Sequence, residues 1–316
     1  MEKTIKIGTR ESQLALWQAH TVEKQLQDLG YKTEIIKVKS EGDIVLDKPL
    51  YELGITGIFT KTLDIALVNG TIDIAVHSMK DVPTTLANGI IQTAVLQRAN
   101  PSDILVSNEN TDFLNQEKAI IATGSLRRKA QWLNRYPTHQ TTDLRGNVNT
   151  RLQKLKDNNW NGAIFAQAGL ERLGFVFGNK IKSPSFEGFG EVLDWIIPAP
   201  AQGAVVVVCR YDNDFSKEAT EKLNHKPTQI CTFVERDFLK TLEGGCTAPI
   251  GALAQIIDNK IHFKGVLLSL DGKQKIEIEK SSDVSEYHSL GKTFALEILA
   301  SGGNAVMEQI KKHLDK

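Results

Sequence analysis

The chain has 316 residues, 41% hydrophobic and 24% charged, with 38 Lys and Arg balanced by 38 Asp and Glu. That length exceeds one ordinary core and points to two or three domains of about 100 residues each, and an apolar share of this size without a low-complexity tract excludes a disordered chain. Zero net charge removes any whole-molecule argument for nucleic acid or an acidic membrane as partner.

The N-terminus leads into a short alternating segment rather than an apolar run, so no secretory signal is expected and a cytoplasmic location is. Residues 4–9 alternate like a strand, and Leu14, Leu16, Trp17, Val22, Leu26 and Leu29 recur near helical spacing over 12–29. Alternation over 33–40, a helix over about 59–69 and a buried strand over 72–77 complete a βαβαβ pattern with parallel strands.

The logic restarts near residue 119. Ala119 to Thr123 reads as a strand that turns through Gly124-Ser125 into a helix over about 126–135, followed by strand 141–144, helix 147–158, strand 163–166 and a short helix near 169–173. Gly8-Thr9-Arg10-Glu11-Ser12 and Thr123-Gly124-Ser125-Leu126-Arg127 place Thr, Ser and Arg alike where a strand becomes a helix, so two similar α/β domains are expected to face one another. Ligands of such sheets bind beyond the strands' carboxyl ends against helix N-termini, which favour anions.

Ile197-Pro198-Ala199-Pro200-Ala201-Gln202-Gly203 reads as a crossover, with the apolar run 204–209 returning as a strand to the first sheet. The stretch from Trp195 to Cys209 is the most apolar, but its prolines, Gln202 and Gly203 exclude a membrane span. A third region then carries a helix near 230–242, strands at about 252–257, 261–269 and 274–279, and helices over 287–300 and 303–314. The turns Asp258-Asn259 and Asp271-Gly272 suit antiparallel hairpins. The expected limits are 1–98 with 198–216, then 99–197, then 217–316: two α/β domains and a small C-terminal α+β domain.

Three features carry chemistry. Cysteines 209, 231 and 246 are odd in number and lack paired spacing, which argues against a disulfide framework or a zinc cluster; no metal is expected. Cys246 follows Gly244-Gly245 in a permissive loop, where a thiol is either a bystander or a functional group. Arginine is scarce, ten residues against 28 lysines, yet Arg127, Arg128, Arg135, Arg145, Arg151 and Arg172 fall within 46 residues. Guanidinium holds carboxylates bidentately, so the cluster reads as an anion site or as solvated surface. His77-Ser78-Met79-Lys80-Asp81-Val82-Pro83 ends a buried strand with a hydroxyl, an ammonium and a carboxylate; it is either turn chemistry or a general acid/base group beside a cation, with His77 assigned to packing.

Taken in order, Gly8 to Ala15, His77 to Pro83, Gly124 to Arg128, Arg145 to Leu152, Ala168 to Leu173 and the Gly-Gly-Cys loop resemble the porphobilinogen deaminase (hydroxymethylbilane synthase) family over nearly the whole chain. The resemblance implies two domains of the periplasmic-binding-protein kind plus a third domain. It also implies a transferase of tetrapyrrole and haem synthesis that joins four porphobilinogens head to tail with loss of ammonia, and a dipyrromethane cofactor held by a thioether to Cys246. By the same resemblance Asp81 is the catalytic carboxylate, and Arg10, Arg127, Arg128, Arg145, Arg151 and Arg172 bind carboxylates with Ser12, Lys80 and Ser125. Phe59, Ser78, Thr123 and Gln202 line the cleft or hinge, Arg135 is surface, and the protein is a monomer. Two positions depart from the family pattern: Ala201 stands where it has glycine, harmless unless that position requires positive φ, and Thr56 stands where it commonly has lysine. The rival reading is a non-catalytic cytosolic anion-binding protein of the same two-domain architecture.

Overall fold

The computed structural model describes residues 3–39, 60–178, 180–242 and 248–314. The first sheet has the order β2-β1-β3-β11-β4. It is built from β1 (Thr4–Thr9), β2 (Lys32–Lys37), β3 (Ile74–Ser78), β4 (Ile90–Val95) and β11 (Val205–Arg210), with β1 parallel to β2 and β3, and β11 antiparallel to β3 and β4. Helix α1 (Gln13–Asp28) covers one face, where Val22 and Leu26 meet Ile5, Ile7, Ile74, Val205 and Val207. Helix α2 (Lys61–Val68) covers the other, where Leu63 and Leu67 meet Ile72, Ala75, Val206 and Val208. Both faces of β11 are therefore buried, which is why its sequence is a continuous apolar run rather than an alternating one. Each such valine contributes roughly 1.5–3 kcal/mol of burial.

The second sheet has the order β7-β6-β8-β5-β10-β9. Its parallel part, β6 (Ile120–Ala122), β7 (Gln140–Thr142) and β8 (Gly162–Ala166), alternates with α3 (Leu126–Arg135), α4 (Val148–Asp157) and α5 (Gln167–Arg172) as the periodicity indicates. Antiparallel strands β5 (Asp103–Ser107), β9 (Ile181–Ser183) and β10 (Phe186–Leu193) extend it. These three, and β4, were not foreseen: β10 carries Gly188, Gly190, Glu187 and Glu191 among its apolar residues, and β9 is three residues long. Helix α6 (Asp214–Glu221) packs on β4 and β11 with Ala219 in their core, so the first layer continues to Glu221.

The third unit is an antiparallel sheet of β12 (Ile250–Ile257), β13 (Lys260–Leu268) and β14 (Lys275–Asp283) under α7 (Lys226–Thr241) and α8 (Tyr287–Ile298), with α9 (Asn304–Leu314) closing the chain. Asp258 and Asn259 adopt φ of 48° and 60°, as a two-residue hairpin with both central residues left-handed requires. Among the described residues no helix is long and apolar enough to cross a membrane.

Candidate active site

Strand β3 ends at Ser78, whose Oγ accepts a hydrogen bond from buried Gln18 at 2.8 Å, and a single 3-10 turn, Met79–Asp81, follows. That turn is tied to the crossover: the Met79 N–H donates to the Ala204 carbonyl at 3.0 Å, and Lys80 Nζ donates to Gln202 Oε1 at 3.2 Å. Gln202 is buried and passes the connection on, since its Nε2 donates to the Pro101 carbonyl at 2.7 Å and to Asp103 Oδ1 at 2.9 Å.

Asp103, fully buried at the head of β5, is the hub. Its Oδ2 receives Arg127 Nη1 at 2.7 Å, and its Oδ1 receives Arg128 Nε at 3.0 Å and Nη2 at 2.7 Å. Burial alone would raise this carboxyl, but Arg127 and Arg128 overcome it and hold the group well below the ordinary carboxylate range. Ser125 begins α3 as its N-cap, with Oγ accepting from the Arg128 N–H at 3.4 Å, and Thr123 Oγ1 accepts from the Ser125 N–H at 3.3 Å. A Cβ on Gly124 would stand 2.6 Å from the Leu144 carbonyl oxygen, so only glycine lets β6 turn into α3 here. Ser12 caps α1 in the same way, accepting from the Ala15 N–H at 3.3 Å. Both serines that the sequence marked as ligand donors thus also start helices.

Arg145 is buried between β7 and α4, and Arg151, on α4, bonds the Gly146 carbonyl through Nε at 2.7 Å. Burial first, then Arg128, lowers the Arg151 guanidinium to about 10, with Asp81 opposing and Arg145 adding. Burial likewise lowers Lys80 to about 8 against the attraction of Asp81 and Asp103, with Arg127 and Arg128 adding to the decrease. Residues of both sheets therefore sense one another's charge: Lys80 feels Asp81, Asp103, Arg127 and Arg128, and Arg151 feels Asp81, Arg128 and Arg145. Arg10 lies beyond the end of β1, and its charge assists burial in lowering buried His77 to about 4, which keeps that imidazole neutral. Arg172 spans α1 and the crossover: Nη2 donates to the Gly203 carbonyl at 2.7 Å and the guanidinium lies 5.2 Å from the Trp17 ring centroid. Burial lowers it to about 10 against Glu171. Arg135 is exposed, stacked over Trp195. Phe59 and Cys246 lie outside the described residues.

The Nε–H groups of Arg127 and Arg172 are buried without a hydrogen-bond partner. Orphaned guanidinium donors are rare and call for an acceptor, and a molecule rich in carboxylates supplies one. The donor set thus fits a dipyrromethane, each of whose rings bears an acetate and a propionate. Among the described residues no group of three or more His, Cys, Asp or Glu is placed to hold a metal ion.

Sequence reasoning missed Asp103, Arg98 and Glu235. Glu235 is fully buried on α7, pairs with Arg98 through both oxygens, and accepts the N–H of Ala201 at 2.6 Å and of Ala254 at 2.7 Å. The available signal was a carboxylate on the face of the helix that Cys231, Val234 and Phe238 bury, where an unpaired charge would be prohibitive.

Residues 5–218 match the profile of the porphobilinogen deaminase dipyromethane cofactor binding domain, and residues 229–300 match the C-terminal domain of the same enzyme. The chain belongs to the porphobilinogen deaminase family. It is 40% identical to porphobilinogen deaminase of Carboxydothermus hydrogenoformans over 99% of both chains, and 39% identical to that of Trichlorobacter lovleyi over 98% of this chain and 97% of that one. A probable porphobilinogen deaminase of Methanocaldococcus jannaschii is 40% identical over 93% of this chain and 99% of its own. Among solved structures, a methionine-binding protein, MetQ, covers 70% of this chain and 89% of its own at 13% identity with a TM-score of 0.44. The full-length family match decides against a mere anion-binding protein.

Proposed function

We propose that this chain condenses four porphobilinogen molecules head to tail, with loss of ammonia, into hydroxymethylbilane for tetrapyrrole synthesis. The observation that carries this reading is a buried pair of arginines, Arg127 and Arg128, linked through Asp103, Gln202 and Lys80 to the turn that holds Asp81, in a chain aligned end to end with porphobilinogen deaminases. When bound, the dipyrromethane would supply the first free pyrrole α-carbon, each later unit joining the terminal pyrrole of the growing chain, and it would stay on the enzyme when water releases the product.

In this reading the residues divide the work. Lys80, Arg10, Arg127, Arg128, Arg145, Arg151 and Arg172, with Ser12 and Ser125, neutralise and orient acetate and propionate groups, and the buried ones do so in a medium of low dielectric where each contact is strengthened. Asp103 restrains Arg127 and Arg128 so that their forks are fixed before substrate arrives. Asp81 receives the pyrrole N–H and stabilises the positive charge left on the substrate as its amine departs. Cys246 anchors the cofactor and takes no part in the carbon–carbon bond step. Ser78 and Thr123 support the turns beside the cleft, and Gln202 joins them through the hinge.

We further propose the domain limits 1–98 with 198–216, 99–197 and 217–316, with α6 adding to the first domain, and a monomer working in the cytoplasm. The buried reduced thiols of Cys209 and Cys231 agree with that compartment. The test is Asp81→Asn in cofactor-loaded enzyme. Turnover of porphobilinogen is expected to fall by at least about 100-fold with the fold intact, and near-normal turnover would move the catalytic role elsewhere.

A further inference from the structure

Arg236 follows Glu235 on α7 and leaves its own domain. Its Nη1 donates to the Val82 carbonyl at 2.9 Å and to the Met79 carbonyl at 3.2 Å, and its Nη2 donates to the Pro83 carbonyl at 2.6 Å. These three carbonyls flank Asp81 on both sides. The same turn closes on itself through the Val82 N–H to the Met79 carbonyl at 3.2 Å and hangs from the crossover through the Met79 N–H.

We propose that Arg236 is a positioning residue for the known reaction: one guanidinium from the C-terminal domain gathers the carbonyls around Asp81 and thereby fixes where that carboxylate stands. This rests on the reading of Asp81 as the catalytic carboxylate. The geometry suits arginine in particular. Three carbonyl oxygens converging on one side of a turn bring the negative ends of their dipoles together, and a planar cation with five donors satisfies them at once. A lysine ammonium reaching the same point has no fixed fork, and a neutral side chain leaves polar groups of the 79–83 segment without their partner. Because Asp81 sits in a single helical turn rather than on a sheet, few other restraints set its angle. A displacement of about 1 Å at a catalytic group can cost up to about 100-fold in rate. Glu235, one residue earlier, holds the hinge at Ala201, so consecutive residues of α7 grip the crossover and the catalytic turn. The helix before the Cys246 segment thus orients both.

The experiment compares wild type with Arg236→Met and Arg236→Lys as holoenzymes, each checked by intact mass for full cofactor loading, and repeats Arg236→Met on the Asp81→Asn background. The expected result is a fall in kcat of about tenfold or more for Arg236→Met, KM for porphobilinogen within about twofold, and partial recovery in Arg236→Lys. On the Asp81→Asn background the same change should lower residual turnover by less than about twofold, since its target is already gone. A kcat within about twofold of wild type, a loss borne by KM alone, a loss tracking unloaded protein, or an equal further loss on the Asp81→Asn background would each overturn the proposal. Failure of the Asp81 reading is seen separately, as normal turnover of Asp81→Asn alone.

Discussion

Asp103→Asn removes one negative charge from a site where two guanidiniums and the Gln202 amide converge on it. The change keeps the volume and leaves Arg127 and Arg128, both buried, without the carboxylate with which each pairs. Breaking a buried pair by removing one partner costs about 3–5 kcal/mol, because the cost is that of the stranded charge rather than the worth of the bond. With the two α/β domains unfolding as one unit of roughly 200 residues, each kcal/mol corresponds to roughly 2–4 °C, so the melting temperature should drop by roughly 6–20 °C. The pH dependence follows from the direction of the shift. The folded carboxyl is held below its unfolded value of about 3.9, so its stabilisation is complete above about pH 5 and is lost as pH falls below that value toward the folded pKa. Wild type should therefore lose stability between about pH 5 and pH 2 along a steeper course than Asp103→Asn. Thermal unfolding followed by circular dichroism at pH 7 and pH 3 reads both effects. A melting temperature within about 2 °C of wild type at pH 7 would refute the reasoning, because the pair would then contribute no more than an exposed one.

Two further predictions concern the crossover and the cleft. Ala201 has φ of 62° and is fully buried, so the methyl that departs from the family's glycine stands in a left-handed conformation costing about 1–2 kcal/mol. Ala201→Gly relieves that strain but forfeits about 0.8 kcal/mol of buried methyl and loosens the unfolded chain by about 0.4–1 kcal/mol. The melting temperature should consequently stay within about 3 °C, and a rise above about 6 °C would show that strain dominates; Ala201→Val should destabilise strongly. Lys80, with its pKa lowered to about 8, loses its charge as pH rises through that value. KM for porphobilinogen should then climb between about pH 7 and 9 in wild type and stay flat in Lys80→Arg. The same alkaline rise in the variant would assign the titration to another group.

Much of this molecule was legible in its sequence, and the boundary is physical. Strand β11 announced itself because both its faces are buried, α1 because apolar residues recur at helical spacing after Ser12, and α3 because Gly124-Ser125 turns a strand into a helix as Gly8 to Ser12 does. The β4, β5, β9 and β10 strands did not, since antiparallel strands added to a parallel sheet follow no local period that separates them from loops. At the site, Lys80 and Asp81 stand two and three residues beyond the end of β3, a strand visible in the pattern, and resemblance gave them roles. Asp103 looked like an ordinary polar residue after Asn100-Pro101-Ser102. Its meaning comes from Arg127, Arg128 and Gln202, up to 99 positions away. Arg236 reaches partners 153–157 positions distant, a separation at which only the fold reveals who meets whom. The conditional reading of Ala201 resolved toward positive φ, so its methyl is not cost-free.

The most direct test of the whole account is the intact mass of the purified protein before and after stepwise addition of porphobilinogen. The resting enzyme should exceed its sequence mass by two deaminated porphobilinogen units, further units should appear one at a time on addition, and Cys246→Ser should show neither. An active preparation at the bare sequence mass, or one that keeps the excess in Cys246→Ser, would contradict the account.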